Sequence, residues 1–133
     1  MIFTPLVEVV MKFMIVLVSL FMTAHLFAHG GNKPGPHGGK IKMPGMFHTE
    51  LLIKSHHNFR VYLLDMKFEN PVIKKSKVQY SLNGSDKVIC EPTKSFFLCK
   101  TKKMLKGSYT LKLFVKRHKM KGIATYKIKK MNH

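Results

Sequence analysis

Acidic side chains are the scarcest chemistry in this chain: six Asp and Glu stand against 24 Lys and Arg, for a formal net charge of +18. Carboxylates are the usual ligands of Ca²⁺ and Mg²⁺ and the usual pair in acid/base catalysis, so both roles are disfavoured. There is no glycine-rich phosphate loop, no zinc-protease helix motif and no serine elbow, and a non-enzymatic protein is expected. From Lys40 onward no stretch of useful length has apolar residues at helical spacing, which argues against a helical bundle. Cysteine is limited to Cys90 and Cys99.

At the N-terminus, Phe13 to Met22 is apolar except for Ser19. The run is shorter than the roughly 20 residues of a bilayer span and is followed by Ala24 and Ala28, as in a cleaved signal peptide over residues 1–28. Met1 to Val10 carries Glu8 and no positive charge, whereas Met11-Lys12 opens a conventional signal, so Met11 is the expected start. The expected cut follows Ala28; Ala24 is the alternative because Leu26 is bulky, and an uncleaved anchor over Ile2 to Phe27 is the other. No cysteine follows the run, which removes the lipoprotein option.

His29 to His133 is long enough for one domain with one core. Losing Lys12 and Glu8 together leaves the charge at +18. In an exported protein that surplus meets phospholipid head groups, lipopolysaccharide or peptidoglycan, and nucleic acid is not expected as a partner.

Residues 29–39 are rich in Gly and Pro without apolar periodicity, as in a flexible arm. The domain over 40–133 alternates at period two, with strands expected at Lys40–Met43, Phe47–Lys54, Phe59–Met66, Val78–Leu82, Lys87–Glu91, Phe96–Thr101, Tyr109–Lys116 and Ile123–Lys129. Eight short strands imply an all-β fold, an antiparallel immunoglobulin-like sandwich of about 7–8 strands. Asn83-Gly84 is a hairpin signal, and Gly107 and Gly122 are expected to open the last two strands. There, Tyr109, Leu111, Leu113 and Val115 match Ala124, Tyr126 and Ile128 as the buried stripe, with Thr110, Lys112, Lys116, Lys127 and Lys129 opposite. A turn at Lys94-Ser95 would set Cys90 opposite Cys99, and a disulfide suits an oxidising compartment; a redox or thiolate metal role is the alternative.

Histidine and methionine crowd "HGGNKPGPHGGKIKMPGMFH", residues 29–48. With cleavage after Ala28, the amine and imidazole of His29 would chelate one ion, a donor set suited to Cu(II). Met43 and Met46 flank a Pro-Gly bend, and with His48 and His37 they would form a soft set suited to Cu(I). Flexible arm and core or surface packing are the competing readings. His56-His57 lie at the far end of a hairpin, about 26 Å from His48 at strand rise, and cannot share its site. His118 and Met120 belong to a basic loop read as a solvated hairpin tip.

Pro36-His37-Gly38-Gly39-Lys40-Ile41, Gly45-Met-Phe-His48-Thr-Glu50-Leu51 and Phe59-Arg-Val-Tyr62-Leu-Leu-Asp65 resemble the pattern of small exported PHGG-motif β-domains that occur alone or beside heavy-metal efflux adaptors. Gly107-Ser-Tyr109-Thr-Leu111 through Ala124-Thr-Tyr126 looks like YtkA-like or FixH-like immunoglobulin-type sandwiches. The resemblance implies a periplasmic, non-enzymatic domain handling copper, zinc or cobalt, with His37, His48 and Glu50 at the motif positions and an efflux adaptor or other periplasmic metal protein as partner. Copper-binding exported sandwiches with an N-terminal histidine are a looser parallel for His29. The charge of +18, the cysteine pair and Met43/Met46 lie outside that pattern.

The leading expectation is a periplasmic protein that binds a copper ion, with zinc as the alternative metal. The competing expectations are a basic envelope module binding anionic lipid or polysaccharide, and an assembly accessory domain.

Overall fold

The computed structural model describes residues 7–15 and 33–129. The chain divides into two units, Met1–Asn32 and Lys33–His133. In the first, residues 7–15 form a helix with exposed side chains. No helix among the described residues is long and apolar enough to cross a membrane. The rest of the expected signal peptide, both expected cut sites and His29 lie outside the described residues.

The second unit is an antiparallel β-sandwich. In chain order its strands are β1 (Lys40–Gly45), β2 (Phe47–Ile53), β3 (Asn58–Leu64), β4 (Lys77–Leu82), β5 (Val88–Ile89), β6 (Glu91–Thr93), β7 (Phe96–Lys100), β8 (Tyr109–Arg117) and β9 (Met120–Ile128). Sheet A has the order β1-β2-β3-β7-β6 and sheet B the order β5-β4-β8-β9. Odd-numbered residues of β2, β3 and β7 (Phe47, Leu51, Phe59, Val61, Leu63, Phe97) meet Val78, Tyr80, Leu111, Leu113, Val115, Ala124 and Tyr126 of sheet B in one core.

Two strand expectations change. Lys87–Glu91 is two strands, because the chain leaves sheet B after Ile89 and joins sheet A at Glu91. Cys90 sits at this crossing: its N–H donates to Val78 O at 2.9 Å in sheet B, and its sulfur is bonded to Cys99 of sheet A, with Cα atoms 4.5 Å apart. The disulfide therefore ties the point where the sheets exchange the chain. The last strand begins at Met120, so Gly122 lies inside it opposite Val115, and the hairpin tip shrinks to His118-Lys119 with His118 at φ 54°. Gly122 is needed for another reason: a Cβ there would stand 2.3 Å from Pro44 O, where β1 crosses β9.

The expected turns at Asn83-Gly84 and Lys94-Ser95 form, with Asn83, Gly84 and Lys94 at positive φ. Tyr126 joins the sheets at depth. Its hydroxyl lies 2.6 Å from Thr49 Oγ1 and 3.2 Å from the carbonyl oxygens of Thr49 and Lys40.

Candidate functional site

The two sheets differ in what covers their outer faces. Strand alternation points His48 and Glu50 of β2, and Tyr62 and Leu64 of β3, away from the core, yet all four are buried. The Pro36-His37-Gly38-Gly39 segment and the loop after β3 lie over them.

Glu50 organises the first cover. Its side chain is 0% exposed; Oε2 accepts from the backbone N–H groups of His37 at 2.8 Å and Gly39 at 2.9 Å, and Oε1 lies 2.7 Å from His37 Nδ1. The turn closes on itself through Gly35 N–H to Gly39 O at 2.8 Å and Gly38 N–H to Gly35 O at 2.9 Å. The glycines have separate causes. Gly38 adopts φ 83°, while a Cβ on Gly39 would stand 2.6 Å from Leu51 O. The imidazole of His37 lies flat on Tyr62, centroids 3.7 Å apart and planes within 5°. Tyr62 leans on Phe96 at 5.4 Å, with the Arg60 guanidinium 4.4 Å above the Phe96 ring. Within the described part of the expected arm, residues 35–39 are thus a docked turn.

His48 is held separately. Nδ1 is 3.0 Å from Asp65 O, and its ring stacks on Phe68 at 4.1 Å. Asp65 shapes that loop by accepting from Lys67 N–H and Glu69 N–H at 2.9 Å and Asn70 Nδ2 at 2.8 Å. The bonds from Glu69 and Asn70 hold its carboxyl below the usual aspartate value of 3.8. Arg117 Nη2 donates to Asn70 O at 3.0 Å and pins the loop to β8.

Among the described residues, the predicted metal ligands His37 and Glu50 come together, with Glu50 Oε1 2.7 Å from His37 Nδ1. Met43 and Met46 are 57% and 69% exposed beside the β1 bulge. His56 and His57 turn Nδ1 toward Leu105 O and Thr101 O, at 3.2 and 3.3 Å. Among the described residues no group of three or more His, Cys, Asp or Glu is placed to hold a metal ion.

Sheet B keeps its outer face open and basic. Register sets Lys77 of β4 opposite Lys116 of β8, and Lys116 opposite Lys121 of β9. Like charges facing each other across a ladder destabilise a sheet, and among the described residues no lysine or arginine forms an ion pair with a carboxylate. Edge protection does not explain Lys116, whose strand is paired on both sides. Lys77 and Lys116, with Lys75, Ser76, His118 and Lys119, line a groove of ≈530 Å³.

The next row contradicts the polar face expected from sequence. Ile89, Gln79, Phe114 and Ile123 follow one another across all four strands, with Ile89 64% and Ile123 55% exposed. Lys87 Nζ lies 4.1 Å from the Phe114 ring centroid, and Lys112 flanks the row from the side opposite Lys116. Phe114 and Ile123 belong to the same outward face as the lysines. Their even and odd parity relative to the buried Leu113 and Ala124 is the signal that finds them. Compared with family models, curated proteins and solved structures, the chain matches none.

Proposed function

We propose that this chain is an exported binding module for phosphate-bearing anionic components of a cell envelope, docked on the outer face of sheet B. One observation carries the reading. The row Lys77, Lys116, Lys121 places three cations side by side at a cost to folding and without a carboxylate partner. An anionic ligand relieves that repulsion when it binds. Export is supported by the apolar N-terminal run and by the Cys90–Cys99 bond, which suits an oxidising compartment.

Copper handling, the leading expectation from sequence, is the weaker reading, because among the described residues no three His, Cys, Asp or Glu side chains converge on one point.

The test is binding of inorganic polyphosphate across a salt series. Affinity should fall steeply as salt rises, because the attraction is screened, and Lys77→Gln, Lys116→Gln and Lys121→Gln combined should weaken it strongly. Binding that is absent, or indifferent to salt and to the three lysines, would refute the reading.

A further inference from the structure

We infer that the phosphate-bearing partner is an anionic lipid bilayer, which the protein meets with the row Ile89, Phe114, Ile123 set at the depth of the head groups and with lysines reaching phosphates on either side. The inference rests on the proposed function and deepens it by choosing among envelope polyanions.

The apolar row runs across sheet B in register, so its span is about 14 Å at ordinary strand spacing. Lys77, Lys116 and Lys121 stand one row away, about 7 Å along the strands. Lys112 stands one row away on the other side, and Lys127 lies beyond it opposite Thr110. Lysine stems are long enough to lie along apolar surface while the ammonium stays at the phosphate level. An apolar strip between two cationic margins is the arrangement by which interfacial helices lie on anionic membranes, here built on a sheet.

Other occupants fit less well. A sugar ring would pack on an aromatic face, and the face of Phe114 is taken by Lys87. A soluble polyphosphate would use the lysines and leave Ile89 and Ile123 in water. A second copy of this chain would press one lysine row against another. Sheet A offers no equivalent lysine row: on its outer face His48, Glu50, Tyr62 and Leu64 are buried under the His37 and Phe68 segments, and the half-buried row beside them runs Leu52, Arg60, Leu98 to the acidic Glu91.

The chain contains no tryptophan, so one indole introduced by Ile123→Trp reports on this row alone, whatever the N-terminal segment does. Emission should shift to the blue, and brominated acyl chains should quench it, on vesicles of phosphatidylglycerol and phosphatidylcholine. Neither should happen with pure phosphatidylcholine vesicles or with polyphosphate. On the same anionic vesicles Ile89→Asn and Ile123→Asn should each weaken cosedimentation about tenfold, and each Lys→Gln in the flanking rows about fivefold.

If vesicles bind without a shift or quenching of the indole, and the two Asn variants bind like the parent, insertion is overturned while the lysine face stands. If the indole shifts equally on neutral vesicles, the anionic requirement is overturned. Failure of polyphosphate and anionic vesicles alike to bind through the lysines would remove both readings.

Discussion

Lys116 stands directly opposite Lys77 across the β4–β8 ladder, with no carboxylate paired to either. Replacing Lys116 by Gln removes a like-charge contact on both sides of β8. Urea denaturation should show Lys116→Gln to be more stable than the parent by about 0.5 kcal/mol, while its affinity for polyphosphate falls. Stability and binding should move in opposite directions; a variant that lost both would mark Lys116 as a structural residue.

Glu50→Gln should cost about 1–3 kcal/mol. The carboxylate oxygens accept from two backbone N–H groups and face His37 Nδ1, and an amide must set its own NH₂ against one of those contacts. The loss should appear in the unfolding midpoint and in faster hydrogen exchange at the His37 and Gly39 amides, with binding to polyphosphate unchanged.

Cys90→Ala with Cys99→Ala should destabilise the domain by about 2–3 kcal/mol, the effect expected for closing a short loop. Because Cys90 is also where the chain crosses between sheets, exchange protection should fall first at β5 and β6. Reductant should reproduce the effect in the parent and leave the variant unchanged.

Gly122→Ala sets a methyl 2.3 Å from Pro44 O, and backbone must move to admit it. A loss of about 1–3 kcal/mol is expected, with the shifts in amide resonances concentrated in β1 and β9.

Burial pushes the Tyr126 hydroxyl well above its usual value of 10.0. A raised folded value means that the neutral phenol is favoured by the fold, so this stability is complete below pH 10 and is lost as pH climbs past it. Tyr80 and Tyr109 are shifted upward by burial too, so the comparison is between parent and Tyr126→Phe. The variant should be less stable by about 1 kcal/mol at neutral pH and lose less on going alkaline. Asp65 acts at the other end. Its lowered value gives stability that is full above its usual 3.8 and lost as pH falls through the folded value, and Asp65→Asn should blunt that acid loss.

Much of the fold was legible in the chain itself. Period-two alternation marked the strands, the positive-φ tolerance of Asn83-Gly84 marked one tip, and a turn at Lys94-Ser95 after Pro92 set Cys90 opposite Cys99. All of these are local, settled by residues within a few positions of one another. What the sequence could not reveal depends on distant contact. His37 and the glycines of residues 35–39 serve as a lid because Glu50 and Tyr62 lie beneath them in the folded chain, and a ligand pattern and a lid pattern read alike until that packing exists. Likewise, alternation predicts only that Lys77, Lys116 and Lys121, or Ile89, Phe114 and Ile123, face outward. The β8–β9 hairpin sets one half of each row locally, but the register of β4 on β8 completes them, because cross-strand hydrogen bonds and core packing hold in one alignment Lys77 and Lys116, which the chain keeps dozens of residues apart.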